Sequence, residues 1–118
     1  MQTWGLLLLK KFRPENLLFI NVLLDITIFC DCWGMTTPNI VPDIGILASR
    51  DIASVETASL DLIQKERILL KGLPSGRKLL KRKGHLFERI HGKDPYLSVR
   101  YLRDLMGTPT AYSIEEIK

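Results

Sequence analysis

Two cysteines separated by one residue form the stretch of this sequence whose residue types and spacing point to chemistry. Cys30 and Cys32 flank Asp31 in a loop that follows an apolar run. On an extended chain, residues i and i+2 point to the same side, so both thiols would face one cleft. Thiolates bind zinc and iron–sulfur clusters, but such sites take four ligands. Further ligands would come from Asp31, from Asp43, from a histidine or from another chain.

This cysteine pair leaves three interpretations open. The first is a metal ion or iron–sulfur cluster held at Cys30, Asp31, Cys32 and Asp43. The second is a cycle between dithiol and disulfide, although the tight Cys-X-Cys ring is strained and readily reduced. The third is that the cysteines are small buried apolar residues at the end of a strand.

The two histidines are a weaker signal for a metal site. His85 and His91 lie six residues apart within a basic segment. Metal-binding pairs on a helix use a spacing of three or four, which places both rings on one face. We therefore expect incidental surface or capping roles for both.

The segment from Lys65 to Lys93 is strongly basic and is predicted to be helical. It carries ten basic and two acidic residues, a net charge of +8 in a chain whose total is +4. Such an excess attracts polyanions, but it is also typical of a solvated helix face. The predicted polyanion contact consists of Arg77, Lys78, Lys81, Arg82 and Lys83. Phe87 is the single Phe, Tyr or Trp in the segment, which argues against base stacking and therefore against nucleic acid.

The elements that must position these residues are predicted from apolar periodicity. Residues 17–29 alternate with period two, with aliphatic side chains from Ile20 to Ile28 on one face, which indicates a strand. The predicted order begins with a helix over 3–12, this strand, a loop over 30–42 and a strand over 44–48. A helix capped by Ser49 or Asp51 then runs to Lys65, and a basic helix over 77–91 breaks near Gly84. A helix from Asp94 to Leu105 and a segment over 112–117 that is compatible with a final strand complete the order. Together they predict an α/β fold, a small mixed sheet with helices packed on it. Residues 1–118 form either a single domain or the C-terminal fragment of a larger one.

The sequence matches the patterns of a secretory signal and of a membrane-spanning helix only weakly. The apolar run 17–29 contains Asn21 and Asp25 and is shorter than the about 20 residues that a membrane-spanning helix needs. Basic residues follow the first apolar run, whereas in a secretory signal they precede it. Two cysteines cannot make a secreted disulfide scaffold. We therefore expect a cytoplasmic protein without a membrane span.

Several stretches together resemble a known family. They are 21–25, Cys30-Asp-Cys-Trp-Gly, 40–51 and 58–63. Over residues 17–64 the pattern resembles the C-terminal portion of the family called domain of unknown function 362, whose members are often labelled iron–sulfur-centre proteins. Fuller members carry a ferredoxin-type insertion with Cys-X-X-Cys motifs, and no such motif occurs in this sequence. The residues that match one by one are Cys30, Asp31, Cys32, Gly34, Pro42 and Asp43.

Three functional hypotheses follow. In the first, the chain binds a metal or an iron–sulfur cluster, or carries out redox chemistry, through its cysteine loop. In the second, it is a non-catalytic subunit or fragment that binds a protein partner or a second copy of itself. In the third, it binds a polyanion through residues 65–93. The second hypothesis rests on a strand that is apolar on both faces, for which few helices are available as cover. It predicts apolar exposure at some of Leu6, Leu8, Phe19 and Trp33.

Overall fold

Two antiparallel strands and three helices make up the fold in the part of the chain that the structure describes. The structure is a computed structural model that describes residues 8–73, 78, 81–107 and 111–118, with Asp31 described by its backbone alone. The strands are β1 (Phe19–Leu23) and β2 (Gly45–Ser49), and the helices are α1 (Ile52–Lys65), α2 (Leu86–His91) and α3 (Tyr96–Met106). Short 3-10 turns lie at Pro14–Asn16, Asp31–Trp33 and Leu70–Gly72. The predicted class, a small mixed α/β fold, is confirmed.

β1 is much shorter than the predicted strand over 17–29. It ends at Leu23 because Asp25 has a φ of 51°, a left-handed conformation that turns the chain away from the sheet. The carboxylate of Asp43 accepts the Asp25 amide at 2.9 Å and so stabilises this turn. Beyond it, the carbonyl of Ile26 accepts the amide of Ile40 at 2.8 Å, which ties the two ends of the intervening loop together.

The two faces of β1 differ in what they contact. Asn21 and Leu23 belong to the face that packs on α1, where the Asn21 amide donates to Glu56 and Ser59 at 3.0 Å each. The opposite face carries Ile20 and Val22, and both are exposed. The aliphatic face of the alternating pattern is thus the one that no described element covers.

α1 begins where its sequence predicts. Asp51 is the N-cap, and its carboxylate accepts the Ser54 amide at 3.2 Å. Helical spacing in the sequence predicts an inner face of Ile52, Val55, Ala58 or Ser59, and Leu62. The buried residues are Ala53, Val55, Ala58, Ser59, Leu60 and Ile63. The buried surface is wider because α1 packs against the sheet on one side and against α3 on another.

The basic helix predicted over 77–91, with a break near Gly84, is confirmed in part among the described residues. Lys78 is helical, residues 81–85 are not, and α2 begins only at Leu86. Arg77 lies outside the described residues. Gly92 ends α2 with a φ of 75°, and Gly107 ends α3 with a φ of 64°, as expected of glycine after a helix. α3 itself is confirmed, with Asp94 accepting the Tyr96 amide at 3.0 Å.

The core is centred on a loop rather than on the sheet. Ile40 and Val41 are fully buried, and they lie in the segment predicted only as a loop. Packed with them are Leu23, Ile28, Ile63, Leu73 and Leu86. Gly72 allows the 3-10 turn at 70–72 to approach this loop, since a Cβ there would lie 2.5 Å from the Asn39 carbonyl oxygen.

The secondary structure predicted for the two ends of the chain is confirmed only in part. Of the helix predicted over 3–12, residues 8 and 9 are helical and residues 3–7 lie outside the described residues. Residues 112–117 do not form a strand. Across the described ranges, no helix has the length and apolar character needed to cross a membrane.

Candidate functional site

Cys32 lies in the 3-10 turn Asp31–Trp33, and Cys30 directly precedes that turn. The carbonyl of Cys30 accepts the Trp33 amide at 3.0 Å, and the Cys30 sulfur accepts the Cys32 amide at 3.4 Å. A 3-10 turn is not extended, so the predicted extended conformation over Cys30–Cys32 is wrong. That both sulfurs face one cleft stays a prediction. Both cysteines are exposed, so the interpretation as buried apolar residues is wrong as well.

His91, the last residue of α2, contacts the chain just before the turn that contains Cys32. The His91 Nε2 donates to the Ile28 carbonyl at 3.0 Å, because a carbonyl oxygen accepts only. The ring of Phe29 lies edge-on to His91 at 6.3 Å and near Trp33 at 5.8 Å, measured between ring centroids. These contacts hold His91 next to Ile28 and Phe29, whereas the sequence indicated an incidental surface or capping role for it.

The described residues do not by themselves provide a metal site. Asp43, a predicted ligand, instead stabilises the turn at Asp25. Within the described ranges, no group of three or more His, Cys, Asp or Glu side chains is placed to hold an ion. A structural zinc or an iron–sulfur cluster takes four ligands. Metal binding at Cys30, Asp31, Cys32 and Asp43 stays a prediction that needs further ligands.

His85 has one of the roles expected from the sequence, since it caps a helix, but it is buried and not on the surface. Its Nε2 donates to the Leu60 carbonyl at 2.7 Å, and its Nδ1 accepts the Phe87 amide at 3.1 Å. The ring therefore caps α2 and joins it to α1. The local signal for a cap was its position directly before Leu86, between Gly84 and an apolar run.

The predicted polyanion residues lie on the surface where the structure describes them. Lys78, Lys81, Arg82 and Lys83 are exposed. The Arg82 guanidinium donates to the Arg89 carbonyl at 3.0 Å, near the end of α2. Exposure is equally expected of a solvated segment, so polyanion binding stays a prediction.

The most prominent surface feature is the uncovered side of the hairpin, which we call the sheet face. It consists of Ile20, Val22, Ile46 and Ala48, flanked by Leu18 and Leu24. Val22 and Ile46 are cross-strand partners that are 58% and 65% exposed. A solvated sheet face normally carries polar side chains. Of the residues predicted to be exposed, Leu8 and Trp33 are exposed, Phe19 is half-buried, and Leu6 lies outside the described residues.

A groove runs along the outer edge of β2. It has a volume of about 570 Å³ and lies between β2, α1 and residues 112–117. Its outer wall is held by Tyr112, whose hydroxyl donates to Asp61 on α1. The other carboxylate oxygen of Asp61 accepts the Tyr96 hydroxyl at 2.6 Å. Asp61 thus fixes both α3 and the C-terminal segment to α1.

Asp61 also governs how Tyr112 titrates. The hydrogen bond to the carboxylate, together with burial, raises the pKa of Tyr112 to about 12 from an ordinary 10.0. A raised pKa in the folded state means that this contact stabilises the protein below pH 10 and is lost as the pH rises towards 12.

We expect Asp61→Asn to return the pKa of Tyr112 towards its ordinary value, because an amide does not repel the phenolate. The measurement is an NMR titration of isotope-labelled tyrosine, with Tyr112→Phe used to assign the signal. Faster amide exchange over 112–118 should accompany the substitution. A wild-type Tyr112 that titrates at its ordinary value would contradict the Asp61 contact.

Comparisons with protein-family models, with curated proteins and with solved structures find no match for this chain. The resemblance to the family called domain of unknown function 362 therefore stays a prediction.

Proposed function

We propose that this chain is a non-catalytic subunit that binds a protein partner over the sheet face. The observation that supports it is the exposure of Ile20, Val22 and Ile46, which are all more than half accessible. The outward positions of both strands are aliphatic, whereas the inward face of β1 contains Asn21. This reverses the usual alternation of a half-buried sheet, in which the polar side chains face water. Contiguous exposed apolar surface of this kind marks interaction sites.

Covering this face contributes favourable free energy to binding. Fully burying an aliphatic side chain contributes about 1.5–3 kcal/mol. Ile20, Val22 and Ile46 would each contribute about half of that, because each is already partly covered. The sum of a few kcal/mol corresponds to an affinity gain on the order of a hundredfold.

The test uses a photo-crosslinking amino acid at position 22 in cells that express the chain, followed by titration of the purified pair. Val22→Lys combined with Ile46→Lys should weaken binding by about a hundredfold, since two apolar contacts are replaced by desolvated charges. The matched control is Leu97→Lys on α3, which changes a residue of the same exposure, 58%, away from the sheet. It should leave the affinity within about twofold.

Two results would count against the proposal. One is crosslinking from position 22 no stronger than from position 97. The other is a double variant that binds the identified protein as tightly as the wild type does. If position 22 crosslinks to a second copy of the chain, the partner is the chain itself and sedimentation will show the dimer.

A further inference from the structure

β2 has one paired edge and one open edge. Its register with β1 runs from Phe19 opposite Ser49 to Leu23 opposite Gly45. In the ranges that the structure describes, no backbone hydrogen bond joins the other edge of β2 to residues 111–118. An open strand edge presents unpaired N–H and C=O groups, which form a template for an added strand.

The size of the groove along this edge fits a strand. A residue in a packed sheet occupies about 160 Å³, from the rise along a strand, the spacing between strands and the thickness of a sheet. The groove volume of about 570 Å³ therefore accommodates three to four extended residues. β2 itself is five residues long, so the added strand would match most of its length.

The walls of the groove differ in chemistry. On the helix side lie Val55, Ala58 and Leu62 of α1, an apolar surface. On the outer side lie Glu115 and Glu116, both exposed. None of the described residues that line the groove is lysine or arginine. The lining thus combines an apolar floor with negative charge at the rim.

We propose that this groove takes an extended segment of the protein partner, which adds to β2 as a third strand and alternates apolar with basic residues. The apolar side chains of that segment lie on α1, because alternate residues of a strand point to opposite faces. The basic side chains reach solvent near Glu115 and Glu116, where opposite charges attract. The inference rests on the proposed function, since the added strand continues the sheet face beyond Ile46.

The probe is a seven-residue synthetic peptide that alternates valine with lysine and is capped at both ends. One control peptide carries glutamate in place of lysine, and a second carries proline at its centre, which removes a backbone donor. We expect the lysine peptide to bind about tenfold tighter than the glutamate peptide. It should slow amide exchange within Gly45–Ser49, and the proline peptide should do so much less.

The matched protein variant is Glu115→Lys combined with Glu116→Lys. It reverses the charge at the rim and leaves the apolar floor and the Tyr112 anchor in place. We expect this variant to prefer the glutamate peptide, and we expect wild-type and variant chains to have the same thermal midpoint. Peptides that bind both chains alike, or that leave exchange in β2 unchanged, would overturn the inference.

Other occupants give different results. Slow exchange of the whole of β2 in the isolated monomer would show that residues 113–118 of the same chain fill the groove. Exchange that slows with protein concentration, together with a dimer in sedimentation, would show that a second copy fills it. Either result overturns the peptide inference. Val22 lies on β1 and does not line the groove, so crosslinking from position 22 is read separately and the sheet-face proposal stands or falls by itself.

Discussion

Ile40→Ala is expected to lower the free energy of unfolding by about 2–5 kcal/mol. Ile40 is fully buried, and it packs where β1, α1 and the loop over 30–42 meet. Its backbone also joins distant segments, since its amide donates to Ile26 and its carbonyl accepts the Leu69 amide, both at 2.8 Å. Truncation of the side chain would leave a cavity that these fixed neighbours cannot fill.

Ile46→Ala is the matched control, because it removes the same atoms from a side chain that is 65% exposed. Its expected cost is below about 0.5 kcal/mol. Urea unfolding of both variants, followed by circular dichroism, measures the two values. Equal costs would mean that Ile40 does not lie in the core or that the sheet face is covered within the isolated chain.

His85→Ala is expected to lower the free energy of unfolding by about 2–4 kcal/mol. The substitution leaves the Leu60 carbonyl and the Phe87 amide without the ring that both contact. A buried polar group that loses its partner costs about 1–3 kcal/mol, and a lost N-cap costs about 1 kcal/mol. Since α2 carries His91, the same change should also loosen the cysteine turn.

His85→Asn separates the two contacts. Asparagine is a good N-cap and restores the bond to the Phe87 amide, but it is too short to reach Leu60. We expect His85→Asn to lower the free energy of unfolding by less than His85→Ala does. His91→Ala removes a hydrogen bond to Ile28 and a ring contact with Phe29 at an exposed position at the other end of α2, and it should cost less than His85→Ala. If all three variants are equally stable, then the ring of His85 does not join α2 to α1.

The proposals for the sheet face and the groove have a common physical origin. β1 and β2 have α1 on one side and neither a further strand nor a second layer on the other in the part of the chain described. Such a hairpin is marginal by itself and gains stability from whatever covers or extends it. The partner would therefore stabilise the chain in addition to binding it, and thermal midpoints should rise with partner concentration.

Elements that depend on contacts between near neighbours were predictable from the sequence. The start of α1 was predictable because the Asp51 carboxylate caps an amide three residues away. The ends of α2 and α3 were predictable because Gly92 and Gly107 adopt left-handed conformations after a helix. Alternation in β1 also established that two different faces exist.

Contacts between distant residues determine which of those faces meets water, where the core lies and what the histidines contact. Asn21 faces α1 because Glu56 and Ser59, 35 and 38 residues away, accept its amide. His91 contacts the carbonyl of Ile28, 63 residues away, and Ile40 lies in the core because its backbone bonds to Ile26 and Leu69. Periodicity and capping report interactions over three or four residues. These contacts join residues far apart in the chain, so no local pattern encodes them.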